Sequence, residues 1–200
     1  MILPDKKIKE LVNSGKLKIE PFDEQCVTPA GYDIKLGNEL AIYQPGIYID
    51  VREPANNGLK KVSIPEEGYL LKPMEFVLAC TKEYIALPPN IAGFLHARSS
   101  IARLGLAVHL GAGFIAPGFE GKLVLEIFNF NSVPVKIYPG MRIAQIIFVE
   151  LPISCEKSYA EREDSKYKYQ SGILPSLIHM EFSGEIVGRE RFRERKRYHI

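Results

Sequence analysis

Turn-forming residues recur along this chain and cut it into short segments, and that division governs what it can fold into. Pro45-Gly46, Asn56-Asn57-Gly58, Pro88-Pro89-Asn90, Pro117-Gly118 and Pro139-Gly140 each supply a fixed proline φ or a glycine or asparagine free to turn. Between them lie short runs rich in Val, Ile, Phe and Tyr, at residues 39–43, 69–71, 75–81, 91–98, 123–130, 133–138 and 143–151. Side chains of this kind pack well on a pleated surface. Many short strands with no helical units between them exclude a doubly wound nucleotide fold and predict an all-β sandwich or barrel. The exception is the start of the chain. There Asp5 is a candidate cap, Ile8, Leu11 and Val12 form a stripe at helical spacing, and Gly15 is a plausible stop.

Two hundred residues suit one domain and bury a substantial core. The composition shifts near Ser154. Residues 158–172 interleave Lys and Tyr and read as an ordered or closable loop, and 175–180 turn apolar again. The last dozen residues crowd Arg189, Arg191, Arg193, Arg195, Lys196 and Arg197 together, diluted by Glu190 and Glu194. The expected division is therefore a domain over 1–180 and a charged tail over 181–200. Six basic residues could attract a phosphate backbone, but the interspersed carboxylates fit a solvated end better, which weighs against nucleic acid as a partner.

No apolar run approaches the roughly 20 residues a membrane-spanning helix needs, and the first residues lack the apolar core of a secretory signal. A cytoplasmic protein is expected, with no membrane partner. Cys26, Cys80 and Cys155 are odd in number, widely spaced and without a Cys-x-x-Cys, so they support neither a disulfide framework nor a zinc site.

The chemistry concentrates at residues 98–126. Arg98, Ser99, Ser100 and Arg103 lie within six positions of one another, ahead of a glycine-rich turn and the run Leu-Val-Leu-Glu. A guanidinium offers phosphate a planar fork of donors and a hydroxyl adds another. Glu126, a lone carboxylate in an apolar run, needs a partner or a task. A polyphosphate site with one working carboxylate is the reading these residues support.

The motifs resemble those of the dCTP deaminase family, within the trimeric dUTPase-like superfamily, over about residues 1–180. The chain carries Met-Ile-Leu-x-Asp at its start and Ala30-Gly31-Tyr32-Asp33. Arg-Ser-Ser-x-x-Arg-Leu-Gly-Leu follows at 98–106, Gly-Phe-x-Gly-x-x-x-x-Glu at 118–126 and Pro-Gly-Met-Arg-Ile-Ala-Gln at 139–145. Tyr159, Lys166 and Gln170 complete the pattern at intervals of seven and four. The resemblance implies a distorted β-barrel, a dUTPase-like jelly roll, with a short N-terminal helix and a C-terminal extension. It further implies a homotrimer with nucleotide sites between subunits, and deamination of the cytosine ring without zinc. The chain indeed lacks the His-x-Glu and Pro-Cys-x-x-Cys set of zinc deaminases.

By the same resemblance Glu126 shuttles a proton from water to the ring, Ser99 and the backbone carbonyl of Ala112 orient that water, and Arg103 holds charge around it. Arg98 and Ser100, joined by Tyr159, Lys166 and Gln170, hold the triphosphate, while Val124, Leu125 and Ala116 line the nucleotide. The substrate implied is dCTP, with dUTP and dTTP as further ligands. Mg²⁺ arrives with the triphosphate, coordinated by phosphate oxygens and water, since no protein-made magnesium cage is evident. His109, lying between apolar residues, is read as structural and outside the catalytic set.

One position departs from the family. Where members usually carry Asp before Pro-Gly-Phe, this chain has Ala116. The missing carboxylate would accept from the sugar 3′-hydroxyl and, in dUTPase relatives, help place the hydrolytic water. Losing a hydrogen bond to a charged acceptor costs on the order of 1.5–3 kcal/mol. Ala112-Gly113-Phe114 points the other way, resembling bifunctional members that proceed to dUMP. The expected function is deamination of dCTP to dUTP and ammonia. The alternatives are a bifunctional dUMP-forming enzyme, a dUTP diphosphatase, or a nucleotide-binding regulator without turnover. Glu126 argues against a diphosphatase alone, because uracil needs no proton shuttle, as does the lack of a glycine-rich C-terminal phosphate motif.

Overall fold

The computed structural model describes residues 1–183. The expected N-terminal helix is α1 (Asp5–Asn13), with Ile8 and Leu11 buried. Its cap differs from expectation: Pro4 is the N-cap residue, and Asp5 is the first helical residue, its carboxylate accepting from the Lys6 N–H at 2.7 Å. Gly15 ends the helix at φ +70°, where other residues are strained.

Strands follow in the order β1 (Lys18–Glu20), β2 (Val27–Thr28), β3 (Gly31–Tyr43), β4 (Leu59–Ser63), β5 (Tyr69–Leu71), β6 (Phe76–Ala86) and β7 (Ile91–Ala97). The one-turn helix α2 (Ser99–Ala102) comes next, then β8 (Leu106–Val108), β9 (Phe114–Ile115), β10 (Glu120–Asn129), β11 (Val135–Ile137), β12 (Arg142–Glu150) and α3 (Met180–Ser183). All pairings between these strands are antiparallel. The main sheet runs β8-β10-β6-β3-β12-β7-β9, with β1 added to β6 and both β2 and β4 to β3. It curls until β7 and β8 approach one another, so the molecule is a half-closed barrel. β5 and β11 form a separate ribbon.

Strand β10 shows how the sequence dictates this arrangement. Its odd positions Gly121, Leu123, Leu125, Ile127 and Asn129 are buried, while the even ones are half-buried. Period-two patterning of this kind sends alternate side chains to opposite faces. Leu125, Ile127, Leu36, Ile85, Ile146 and Phe148 meet in one core. Two stretches escape the patterning. The first half of β3 contains Asp33 and Lys35, and the second half of β6 contains Lys82 and Glu83, so neither reads as an apolar run. Glu83 is nevertheless 1% exposed. Pairing between β3 and β6 shifts register between Leu36 and Leu40, and nearby the Lys35 N–H donates to Glu83 Oε2 at 2.9 Å. A carboxylate thus replaces a carbonyl in the ladder, and its burial pushes the carboxyl above its usual range.

The polar segment after Ser154 docks on the barrel. The Tyr159 N–H donates to Pro117 O, the Tyr169 N–H to Glu120 O and the Lys122 N–H to Gln170 O, at 2.7–2.8 Å. A boundary at 180/181 falls within α3, and the Arg-rich tail lies outside the described residues.

Candidate active site

Glu126 stands on the half-buried face of β10, opposite Leu78 of β6, with its side chain 29% exposed. The neighbouring strand β8 pairs through Val108↔Ile127, and the next residue continues the ladder, the His109 N–H donating to Glu126 O at 2.8 Å. His109 then takes φ +68°, a left-handed conformation that costs a non-glycine residue about 1–3 kcal/mol. Its ring Nδ1 lies 2.8 Å from Glu126 Oε2, with the histidine side chain only 10% exposed. The two atoms are close but misaligned for a hydrogen bond, so neither has a bonded partner and the attraction is electrostatic. Burial favours the neutral imidazole. The Glu126 carboxylate, with the Ala112 and Val124 carbonyls, outweighs that effect and raises the histidine pKa. His109 is thus the point where Glu126, Ala112 and Val124 converge. Sequence reasoning set it aside because a lone histidine between apolar residues carries no signal of what its ring will face.

Arg98 precedes α2 and Arg103 caps it, with the Arg103 N–H donating to Ser99 O at 3.0 Å. Ser99, Ser100 and Arg103 are exposed. Helix α2 packs against β8, the strand that also delivers His109. No hydrogen bond or ion pair joins Ser99 or Arg103 to Glu126 among the described residues. Arg98 is committed differently: its Nε lies 2.9 Å from Asp33 Oδ2, and Arg142 Nη1 approaches the same oxygen at 3.5 Å.

The C-terminal candidates gather at the other end of β10. Gln170 is buried and bridges to Gly121, its Nε2 donating to Lys122 O at 2.7 Å. The Tyr159 ring packs on Phe119 with centroids 5.8 Å apart, its hydroxyl accepts from the Tyr167 N–H, and burial raises its phenol. Lys166 pairs with Glu181. Glu126 stands five positions beyond Gly121, about 17 Å along an extended strand. Within one chain the structure therefore keeps this cluster apart from the carboxylate.

Two further positions are constrained. Leu125 is 0% exposed, backbone included, and packs in the core, so within one chain no part of it is open to a ligand, against the expectation that it lines the nucleotide. Ala116 lies in the turn where its carbonyl accepts from the Phe119 N–H at 3.0 Å, and its methyl offers no acceptor. Among the described residues no three His, Cys, Asp or Glu side chains stand together as a metal site. No described helix is long and apolar enough to cross a membrane.

The profile of a dCTP deaminase-like domain matches residues 2–151. A dUMP-forming dCTP deaminase of Persephonella marina is 44% identical over 183 residues, covering 90% of this chain and 99% of the relative. Enzymes of the same name from Aquifex aeolicus, 43% identical with 90% and 97% covered, and Nanoarchaeum equitans, 41% identical with 91% and 100% covered, match similarly. Among solved structures, the 2′-deoxycytidine 5′-triphosphate deaminase of Agrobacterium tumefaciens superposes with a TM-score of 0.61 at 27% identity. It covers 74% of this chain and 47% of that one. These relatives overturn the expectation of dUTP as the end product, since all three curated enzymes are dUMP-forming by name. That expectation leaned on Ala116. One absent acceptor weakens a contact without deciding whether a second water can reach the α-phosphate.

Proposed function

The chain belongs to the dCTP deaminase-like family, and we propose that it deaminates dCTP and hydrolyses the product onward to dUMP. The observation that carries the deamination step is the Glu126 carboxylate, held on β10 against a half-buried histidine beside the Ala112 carbonyl. Water oriented by Ser99 and the Ala112 carbonyl attacks C4, and Glu126 takes its proton and delivers it to N3. Glu126 then carries the proton of the new C4 hydroxyl to the amino group, the C4–N bond breaks as the C4 carbonyl forms, and ammonia leaves with N3 still protonated. Arg103 stabilises the charge that develops around the carboxylate and water. A second water attacks the α-phosphorus, and pyrophosphate departs. The methyl of Ala116 has no hydrogen-bonding capacity, so other groups must position that water. The turn Ala112-Gly113-Phe114 is the nearest candidate. Its Gly113 lets the turn lie tightly against β7, because a Cβ there would lie 2.8 Å from Leu95 O, and its carbonyl accepts from the Leu95 N–H at 2.7 Å.

Arg98 and Ser100 bind the triphosphate, with Tyr159, Lys166 and Gln170 closing over it, Val124 and Ala116 lining the nucleoside, and Leu125 packed in the core beneath them. Mg²⁺ enters with the substrate, its shell completed by phosphate oxygens and water. The separation of Gln170 from Glu126 within one chain suits a site shared between copies, as do the exposed apolar residues Phe94 and Phe114, which pack on each other, and Leu104 and Leu110. A homotrimer is the assembly we assign. Residues 1–180 act as one nucleotide-binding unit, and the free nucleotide substrate puts the activity in the cytoplasm.

The test is a product assay on the purified chain with dCTP and Mg²⁺, resolving dCTP, dUTP, dUMP, pyrophosphate and ammonia beside a Glu126→Gln variant. Ammonia and dUMP should form in equal amounts, and both should fall by roughly 10²- to 10⁴-fold in the variant. Absence of ammonia from the wild type would sink the proposal. Accumulation of dUTP without dUMP would remove its second step.

A further inference from the structure

Two motifs singled out in the sequence have no task in the reaction above: Ala-Gly-Tyr-Asp at 30–33 and Pro-Gly-Met-Arg-Ile-Ala-Gln at 139–145. The fold brings both to Arg98. Asp33 lies in β3 between Tyr32 and Ile34, both 0% exposed, and its own side chain is 5% exposed. A carboxylate so buried is costly unless cations compensate it. Two do, through one oxygen. Arg98 Nε lies at 2.9 Å and Arg142 Nη1 at 3.5 Å from Asp33 Oδ2. Arg98 Nη1 also donates to Arg142 O at 3.4 Å, and Arg142 Nη1 to Gln25 O at 3.3 Å.

This arrangement exceeds what a structural ion pair requires. One carboxylate would be neutralised by one guanidinium; here a second is recruited, and the trio carries a net charge of +1. Lys35 adds nothing to that excess, because Asp23 pairs with it at 2.5 Å. Among the described residues no protein group takes Arg98 Nη2, Arg142 Nε or Arg142 Nη2. The Arg98 and Arg142 side chains remain 28% and 45% exposed. The geometry points to a two-arginine polyphosphate subsite in which Arg142 is a second phosphate-binding arm beside Arg98, and Asp33 is the positioning residue that holds both. It rests on the reading of Arg98 as a triphosphate ligand. Without Asp33 the two like charges repel and the donors lose their common orientation.

The sign of one substitution separates positioning from simple charge. Asp33→Asn makes the cluster more positive, so a purely electrostatic role predicts tighter anion binding. The positioning role predicts weaker binding. The probe is inorganic tripolyphosphate, measured by calorimetry on the full-length protein, so the result does not depend on turnover. Arg142→Gln should weaken tripolyphosphate about tenfold, as expected for one lost charge-assisted contact, and raise the KM for dCTP similarly with kcat kept within about threefold. Asp33→Asn should weaken it by a comparable factor, and Asp33→Glu should restore most of the affinity. Arg142→Lys, which keeps the charge, guards against a glutamine variant that fails to fold and should retain most of the binding. Unchanged or tighter binding in Asp33→Asn, or unchanged binding in Arg142→Gln, overturns the inference even if dCTP is deaminated normally. A wild type that binds tripolyphosphate yet releases no ammonia leaves the subsite standing and fails the reaction instead.

Discussion

At the scale of single residues, the contact between His109 and Glu126 ties stability to pH. The histidine pKa is raised in the folded protein, so the proton it carries favours folding. That contribution is fully present below the ordinary histidine pKa and disappears as pH rises through the folded-state value. Replacing His109 by Asn should therefore lower the melting temperature most at about pH 6, with the gap to wild type shrinking at alkaline pH. Thermal melts of both proteins across that range check the sign. A gap that widens with pH would mean that the pairing with Glu126 does not govern the ring. His109 was illegible in the sequence because its identity says nothing of what it faces. Glu126 was legible because charge inside an apolar strand demands explanation.

At the scale of elements, the glycines of the Gly-Phe-x-Gly turn explain how the C-terminal segment finds its place. A Cβ on Gly118 would lie 2.4 Å from the Ser158 Cβ, and φ there is +75°. At Gly121, with φ +151°, it would meet the Gln170 backbone at 3.0 Å. The turn is bare so that residues 158–170 can lie across it. Gly118→Ala should cost about 1–3 kcal/mol, loosen this segment to proteases and raise the KM for dCTP severalfold. Gly172→Ala, with nothing within 4 Å, serves as the control and should do little. Melting, limited proteolysis and steady-state kinetics on the pair check this; equal behaviour of the two variants would refute it. The segment was readable as an ordered loop from its composition. The register of its docking was not, since it depends on carbonyls of a turn some forty residues earlier.

At the scale of the whole molecule, the half-closed barrel leaves an apolar margin. Phe94 and Phe114 pack against each other at 5.5 Å between centroids yet remain 41% and 58% exposed. Exposed aromatic pairs of this kind mark surfaces that bury on association. Light scattering should give three times the 22.5 kDa chain mass, and Phe114→Glu should shift the population to smaller species and reduce dCTP turnover with it. A monomeric wild type that is fully active would exclude sites shared between copies.

The sequence by itself determined the all-β class, the N-terminal helix and most strands, because turn residues and β-branched runs act locally and leave their period in the chain. It also singled out the motif to which the chemistry is assigned, since arginines, serines and one carboxylate crowd a stretch that is otherwise apolar. Only the tertiary structure decided the partners of those charges: His109 for Glu126, Asp33 and Arg142 for Arg98, a backbone amide for Glu83. The reason is physical. Burying a charge requires compensation from whatever the fold brings within a few ångströms, and residues 33, 98 and 142 become neighbours only when β3, β7 and β12 pair side by side.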